Sequence, residues 1–173
     1  MDSQENKPHV FSTKPPKGLM VLLILTWINT LFSILSTLFT LIFVRPKTED
    51  LAKDKVEMAK SIIELKKLGL DSVVNLLERI QAMTEALQPF FIELNLVNLL
   101  VLMVGAVSAL LMYRRNILGF HLYIVYNLAS VGSIYLFVSP SMVPTVIVVT
   151  NLILSFVFVL LYARHLFWIR GEY

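Results

Sequence analysis

At 173 residues the chain has the length of one ordinary domain, yet 57% of it is hydrophobic, 16% is charged and its mean hydropathy is +0.74. A soluble domain of this size has too little interior to bury so much apolar surface. The net charge of +3 reads as the excess of Lys and Arg that marks a cytoplasmic face, and with no basic patch interleaved with aromatics nucleic acid is not expected as a partner; the absence of cysteine excludes disulfide scaffolds, thiol redox chemistry and cysteine-based metal sites.

Residues 1–18 are polar, contain Pro8, Pro15 and Pro16 and show no period, which predicts a disordered cytoplasmic tail. The apolar run 19–44 is long enough to span a bilayer with some tilt. Lys14 and Lys17 resemble the basic region of a signal peptide. The run far exceeds the ~7–15 residues of a signal core, however, and no small-residue cleavage site follows, so it reads as a retained signal-anchor. Arg45-Pro46 ends this helix, because proline cannot continue the hydrogen-bond ladder.

Residues 45–88 form the one sizeable segment outside the membrane and carry as many acidic as basic side chains. Val73, Leu76, Leu77, Ile80, Met83, Thr84 and Leu87 recur at helical spacing and place one apolar stripe on a helix. Asp71 or Ser72 is expected to cap its start. Ala52, Val56, Ala59, Ile62, Ile63 and Leu65 give a weaker stripe upstream. Gly69 lies between the two, where a helix C-terminus favours a left-handed residue. The pattern predicts an amphipathic helical loop, either a hairpin or two helices lying on the membrane. Charges spaced like Glu49 and Lys53 form a solvated face.

Pro89 is tolerated in the first turn of a second span, 89–113, which can run on from the amphipathic helix with a kink at Pro89. Arg114-Arg115-Asn116 makes a tight turn into a third span, 117–138. The Ser139-Pro140-Ser141-Met142 turn, with Pro144 just after it, leads to a fourth span, 143–168, and a short end, 169–173. From Asn116 to Ala163 there is no Asp, Glu, Lys or Arg. That stretch is roughly twice the ~20 residues with which a helix crosses ~30 Å of hydrocarbon. Lys7, Lys14, Lys17, Arg114, Arg115, Arg164 and Arg170 all fall on one side of a four-span arrangement. Both termini are therefore expected in the cytoplasm. Tyr113, Phe120, Tyr123, Phe167 and Trp168 would form the aromatic belt on that side, with Phe43, Phe90, Phe91 and Phe137 on the other. The fold class is all-α: a polytopic membrane protein with four transmembrane helices and an amphipathic helical loop between spans 1 and 2.

Glu93 is the only acidic residue inside a span, and such carboxylates often mark ion pathways. The plainer alternative puts it one turn past Pro89, at an interface reached by water. Each span carries an asparagine in its middle third: Asn29, Asn98, Asn127 and Asn151, with Asn95 one turn away from Asn98. Amides at one depth can line a polar path, and more commonly they hydrogen-bond across helices. Gly105/Ala109, Ala129/Ser133, Ser33/Thr37 and Ser36/Thr40 are small pairs that permit close packing. His9, His121 and His165 are too dispersed for a metal site. No nucleophile–base pair, phosphate loop, zinc-protease motif or glycosylation signal is present, so neither cofactor nor enzymatic activity is expected.

The Lys-Pro-Pro-Lys segment before the first span and the step Gly119-Phe120-His121-Leu122-Tyr123 carry a resemblance. The chain resembles small four-span bacterial inner-membrane proteins with a proline-rich start and a Gly-Phe-x-Leu-Tyr step, a family without an assigned activity. The resemblance implies a bacterial cytoplasmic membrane and transfers no site residues. Two functions are expected from the residues. One is a non-enzymatic interaction or accessory subunit that meets a membrane or extracytoplasmic protein, or a second copy, through the stripe Val73, Leu76, Leu77, Ile80, Met83 and Leu87. The alternative is a small oligomeric transporter or channel subunit using Glu93 and the intramembrane asparagines.

Overall fold

Gly69 turns the chain as its position predicts. Its φ of +72° lies in the left-handed region, where glycine is unstrained. The turn closes as a Schellman motif: the Leu70 amide donates to Leu65 O at 3.1 Å and the Gly69 amide to Lys66 O at 3.1 Å. The structure is a computed structural model that describes residues 14–44 and 48–171, with residues 48–54 described by backbone alone. The disorder expected before Lys14, the helix stop at Arg45-Pro46 and the Glu49–Lys53 spacing lie outside the described residues.

Among the described residues every regular element is helical. They are α1 (Lys17–Phe43), α2 (Thr48–Lys67), α3 (Asp71–Leu87), α4 (Phe91–Tyr113), α5 (Ile117–Gly132), α6 (Thr145–Ala163) and α7 (Leu166–Arg170), with 3-10 turns at Gln88–Phe90 and Ser133–Leu136. Four segments, Lys17–Phe43, Asp71–Tyr113, Ile117–Leu136 and Thr145–Ala163, are long and apolar enough to cross a membrane. Helices satisfy their own backbone polar groups, as a chain in hydrocarbon must, and the four are compatible with a multi-pass membrane protein.

α3 passes into α4 through the first 3-10 turn, where Phe90 (φ −104°, ψ 21°) leaves helical values. The cause is the neighbouring Pro89, whose ring and missing N–H bend a helix. Asp71–Tyr113 is thus one bent rod, and α1 and α2 run antiparallel beside it. Thr37 meets Asn98, Lys55 meets Glu85 and Lys66 meets Glu78 in regular order along the pair. The first half of the chain is therefore one long helical hairpin, apolar in α1 and α4 and charged in α2 and α3. The 17 residues of α3 extend about 25 Å beyond the apolar part. Neither Asp71 nor Ser72 caps α3: Leu70 is its N-cap, and no side chain caps it. The Schellman turn already fixes Leu70 at that place, so Asp71 falls in the first turn, where its charge meets the helix dipole.

α4 packs on α1 and, most extensively, on α5. Small residues allow this approach. Gly105, Ser108 and Ala109 are buried on α4. At Gly119 of α5 a Cβ would stand 2.5 Å from Met112 N and 2.6 Å from Ser108 O. Those are backbone atoms and cannot swing aside. The connecting corner is a second Schellman motif, with the Asn116 amide donating to Leu111 O at 2.9 Å and the Arg115 amide to Met112 O at 3.1 Å. Asn116 then caps α5 by accepting from the Leu118 amide at 2.9 Å.

α6 packs chiefly on α5 and meets α1 at few positions. The helices stand in an open row, α1–α4–α5–α6, drawn together at the end that carries the first residues of α1 and the last of α6. The core gathers there: Leu19, Leu22 and Leu23 of α1, Ala109 and Met112 of α4, Phe120 and Tyr123 of α5, Tyr162 of α6, and Trp168 and Ile169 of α7. The helices give finer bounds than the apolar runs alone. The third span is α-helical only to Gly132 and tightens to a 3-10 turn at Ser133–Leu136. Ser130 and Ser133 donate to the carbonyls of Asn127 and Ser130, three residues back, the kind of local bonding that competes with a helix ladder. Within the expected fourth span, α6 ends at Ala163, because His165 (φ −106°, ψ 12°) leaves helical values and α7 starts anew. Phe120, Tyr123 and Trp168 are buried core residues, whereas Tyr113 and Phe167 are exposed.

Gly119→Ala should lower the thermal unfolding midpoint of detergent-solubilised protein by several degrees, since overpacking costs about 1–3 kcal/mol. Gly132, with nothing within 4 Å of an added Cβ, is the control, and Gly132→Ala should leave the midpoint unchanged or raise it slightly. Equal responses would contradict the close α4–α5 contact.

Candidate functional site

Three of the four mid-span asparagines converge. Asn29 of α1, Asn127 of α5 and Asn151 of α6 line one open-sided cleft of about 370 Å³, together with Thr26, Tyr126, Ser130 and Ser155. Leu25, Leu154 and Phe158 supply its apolar wall. The cleft exists because α6 leans on α5 and leaves α1, and its floor is the contact that rejoins them. Thr26 Oγ1 and Tyr162 Oη share a buried hydrogen bond of 2.8 Å, with the Tyr123 ring packed on Tyr162 at 4.6 Å between centroids. Asn127 is buried and donates to Tyr123 O of its own helix at 2.8 Å. Asn29 and Asn151 are exposed along the open side.

Asn98 stands apart from this cleft. It donates to Thr37 Oγ1 at 3.3 Å and so ties α4 to α1, while Asn95 bonds back to Phe91 O at 2.7 Å. Glu93 sits in the first turn of α4, beside the Pro89 kink, and is exposed. It does not line the asparagine cleft. The residues missed on the sequence are Thr26, Ser130 and Ser155. Each lies one helical turn from an asparagine, as Thr26/Asn29, Asn127/Ser130 and Asn151/Ser155, and that spacing marks the inward face of each span.

In the hairpin, Leu76, Leu77, Ile80, Met83 and Leu87 are half-buried. The deepest residue is Val74, at 2% exposure, whereas Val73 is exposed. The pairs Lys55–Glu85 and Lys66–Glu78, both 3.2 Å, bridge α2 and α3. The Gln81 amide and then Lys55 hold the Glu85 carboxyl below the usual carboxylate range. Arg79 Nη2 donates to Ser141 O at 3.0 Å and fastens α3 to the turn before α6. Left over are apolar side chains around the Gly69 turn: Ile63, Leu68, Leu70 and Val73, of which Leu68 is 71% exposed.

At the opposite end, Arg114, Arg115, Asn116, Ile117 and Arg170 line a shallow, open depression of about 540 Å³. Arg115 stands at φ 59°, a left-handed conformation that costs a non-glycine residue about 1–2 kcal/mol. Its guanidinium lies 4.6 Å from the centroid of the Trp168 ring. The buried Trp168 indole N–H has no acceptor among the described residues. His165 packs against Gly18, and burial lowers its pKa, helped by Arg164. Among the described residues no three His, Asp or Glu side chains group as metal ligands.

No family model matches the chain, and no significant match is found to a curated protein or to a solved structure. Fold and geometry alone define the class: an all-helical protein with four potential membrane-crossing helices, a polar cleft among three of them and a charged hairpin continuing two of them.

Tyr162→Phe should cost about 0.6–2 kcal/mol in thermal or denaturant unfolding, as expected for an interhelical hydrogen bond in a membrane protein. Adding Thr26→Val should cost little more, because the two hydroxyls serve one bond. Full additivity of the two losses would contradict the shared bond.

Proposed function

We propose that the protein is a non-enzymatic interaction or accessory subunit of a bacterial cytoplasmic membrane, with both termini in the cytoplasm and the α2–α3 hairpin as its contact element outside. The observation that carries this reading is the apolar tip formed by Ile63, Leu68, Leu70 and Val73 on a hairpin whose long sides are bridged by ion pairs. Exposed apolar side chains grouped at one place are the usual mark of a surface that meets something else. The hairpin is anchored for such a role, because α3 continues into α4 and Arg79 binds the Ser141 carbonyl. Leu76, Leu77, Ile80, Met83 and Leu87 of the expected stripe are half-buried, and the more exposed apolar side chains at the tip, Val73 among them, are the contact residues of this reading. The partner this suits is a protein with an apolar recess near the membrane surface.

The combined variant Ile63→Ser, Leu68→Ser and Val73→Ser tests the proposal by cross-linking in membranes through the hairpin lysines. A specific cross-linked partner should be lost in the variant while its unfolding midpoint and membrane insertion stay unchanged. A partner retained at full yield would end this reading.

A second reading, a small oligomeric transporter or channel subunit, is favoured by the convergence of Asn29, Asn127 and Asn151 on one cleft. Its other expected element, Glu93, lies outside that cleft, on the exposed surface at the hairpin end.

A further inference from the structure

Asn29 of α1 and Asn151 of α6 are side-chain amides within helices long and apolar enough to cross a membrane, and both are exposed. Among the described residues neither amide has a hydrogen-bond partner, and neither does the Ser155 hydroxyl. Hydrocarbon offers such groups nothing to bond to, so in a membrane they turn to a neighbouring helix, to water or to a ligand. Asn98 takes the first course, on Thr37. Asn29, Asn151 and Ser155 instead line one cleft of about 370 Å³, which puts unused donors and acceptors on two different helices around a single space. That volume falls within the roughly 300–1,000 Å³ typical of small-molecule sites.

Two further properties of the cleft narrow its occupant. Among the described residues lining it there is no Asp, Glu, Lys, Arg or His. A charged group would therefore enter without a counter-charge and at a heavy cost in desolvation. An occupant that suits the amides is uncharged and presents both O–H donors and oxygen acceptors. The cleft is also open on one side, and Leu25, Leu154 and Phe158, which line it together with the amides, are themselves exposed. Polar and apolar groups thus share one cavity that leads out onto the surface of the helices, above the buried Thr26–Tyr162 bond that forms its floor. A molecule dissolved in the bilayer can enter such a cleft from the side, keeping its hydrocarbon in lipid while its head meets the amides.

We infer that the Asn29–Asn151 cleft binds the uncharged, hydroxyl-bearing head of a neutral lipid of the diacylglycerol type, with its chains leaving over Leu25, Leu154 and Phe158. The inference rests on the four helices lying in the membrane and is independent of the hairpin contact.

The experiment reconstitutes the full-length protein in phosphatidylcholine vesicles containing a trace of one of two photoactivatable probes. One is a diacylglycerol and the other a phosphatidylcholine with the same diazirine-labelled chain. After illumination, adducts are located by mass spectrometry. At equal mole fraction the diacylglycerol should label the protein at least about five-fold more, the preference expected from two neutral hydrogen bonds, with adducts on α1 and α6 beside the cleft. Unlabelled diacylglycerol should compete, and free glycerol should not. Asn29→Leu with Asn151→Leu should cut the labelling about five-fold or more and keep the unfolding midpoint, since neither amide ties helices together. Asn98→Leu, which breaks the bond to Thr37, should lower the midpoint and leave the labelling intact. Equal labelling by the two probes, adducts away from the cleft, or labelling that survives the double variant would overturn the inference. Competition by glycerol would assign the cleft to a water-borne polyol, and efficient disulfide formation between copies of Asn151→Cys would assign its open side to a second copy; each would overturn the lipid assignment. Release of the unmodified protein from the vesicles by an alkaline wash would overturn the inference together with the membrane-spanning arrangement on which it rests.

Discussion

The packing of α5 against α4 depends on a contact in which side chains are almost absent. Gly119 lies so close to Met112 N and Ser108 O that even a methyl group is excluded, and Gly105, Ser108 and Ala109 continue the same face. In lipid, apolar side chains gain nothing by leaving hydrocarbon for one another, so helices hold by close packing and interhelical hydrogen bonds. The α4–α5 corner supplies the packing, and the two backbone bonds at Arg115 and Asn116 set its angle. α1 is already committed to the other side of α4 by the long hairpin. What remains for α6 is α5 alone, plus the Tyr162–Thr26 hydrogen bond. The open row of helices and the cleft between α1, α5 and α6 follow from that order of commitments.

Much of this was legible in the sequence, and the legible parts share a cause. The four long apolar helices are visible because their lengths and composition are those a membrane-crossing helix needs. Gly69 and Pro89 are visible because their backbone restrictions are local, and each does at its position what its chemistry demands. The features that escaped depend on partners distant in sequence. Nothing local says that His165 breaks the last span or that α7 then carries Trp168 into the core. Helical spacing put Val73 on the stripe and passed over Val74, because a difference of one position turns on the hairpin's exact crossing, which periodicity does not encode. The asparagines show the same divide. Their common depth was readable, but Asn98 goes to α1 while Asn29, Asn127 and Asn151 meet in the cleft, a choice made by helix order.

Three regions with different chemistry therefore lie along one axis: an apolar-tipped hairpin, a polar cleft within the bundle and an arginine-lined depression at the far end. α3 and α4 form one bent rod from Asp71 to Tyr113, so the hairpin and the α4–α5 corner are joined through a single helical segment that bends at Pro89.

All of this requires that the apolar half of the long hairpin lies in the membrane and that its charged half and the chain ends emerge on opposite sides. The absence of cysteine makes the requirement directly measurable. Single cysteines at Leu68 and Met142, both exposed near the hairpin end, and at Lys17 and Arg164, exposed at the other, are treated in intact cells with a membrane-impermeant maleimide. Leu68→Cys and Met142→Cys should label at once, and Lys17→Cys and Arg164→Cys only after the membrane is permeabilised. Labelling of both pairs from the same side would contradict the four-span bundle.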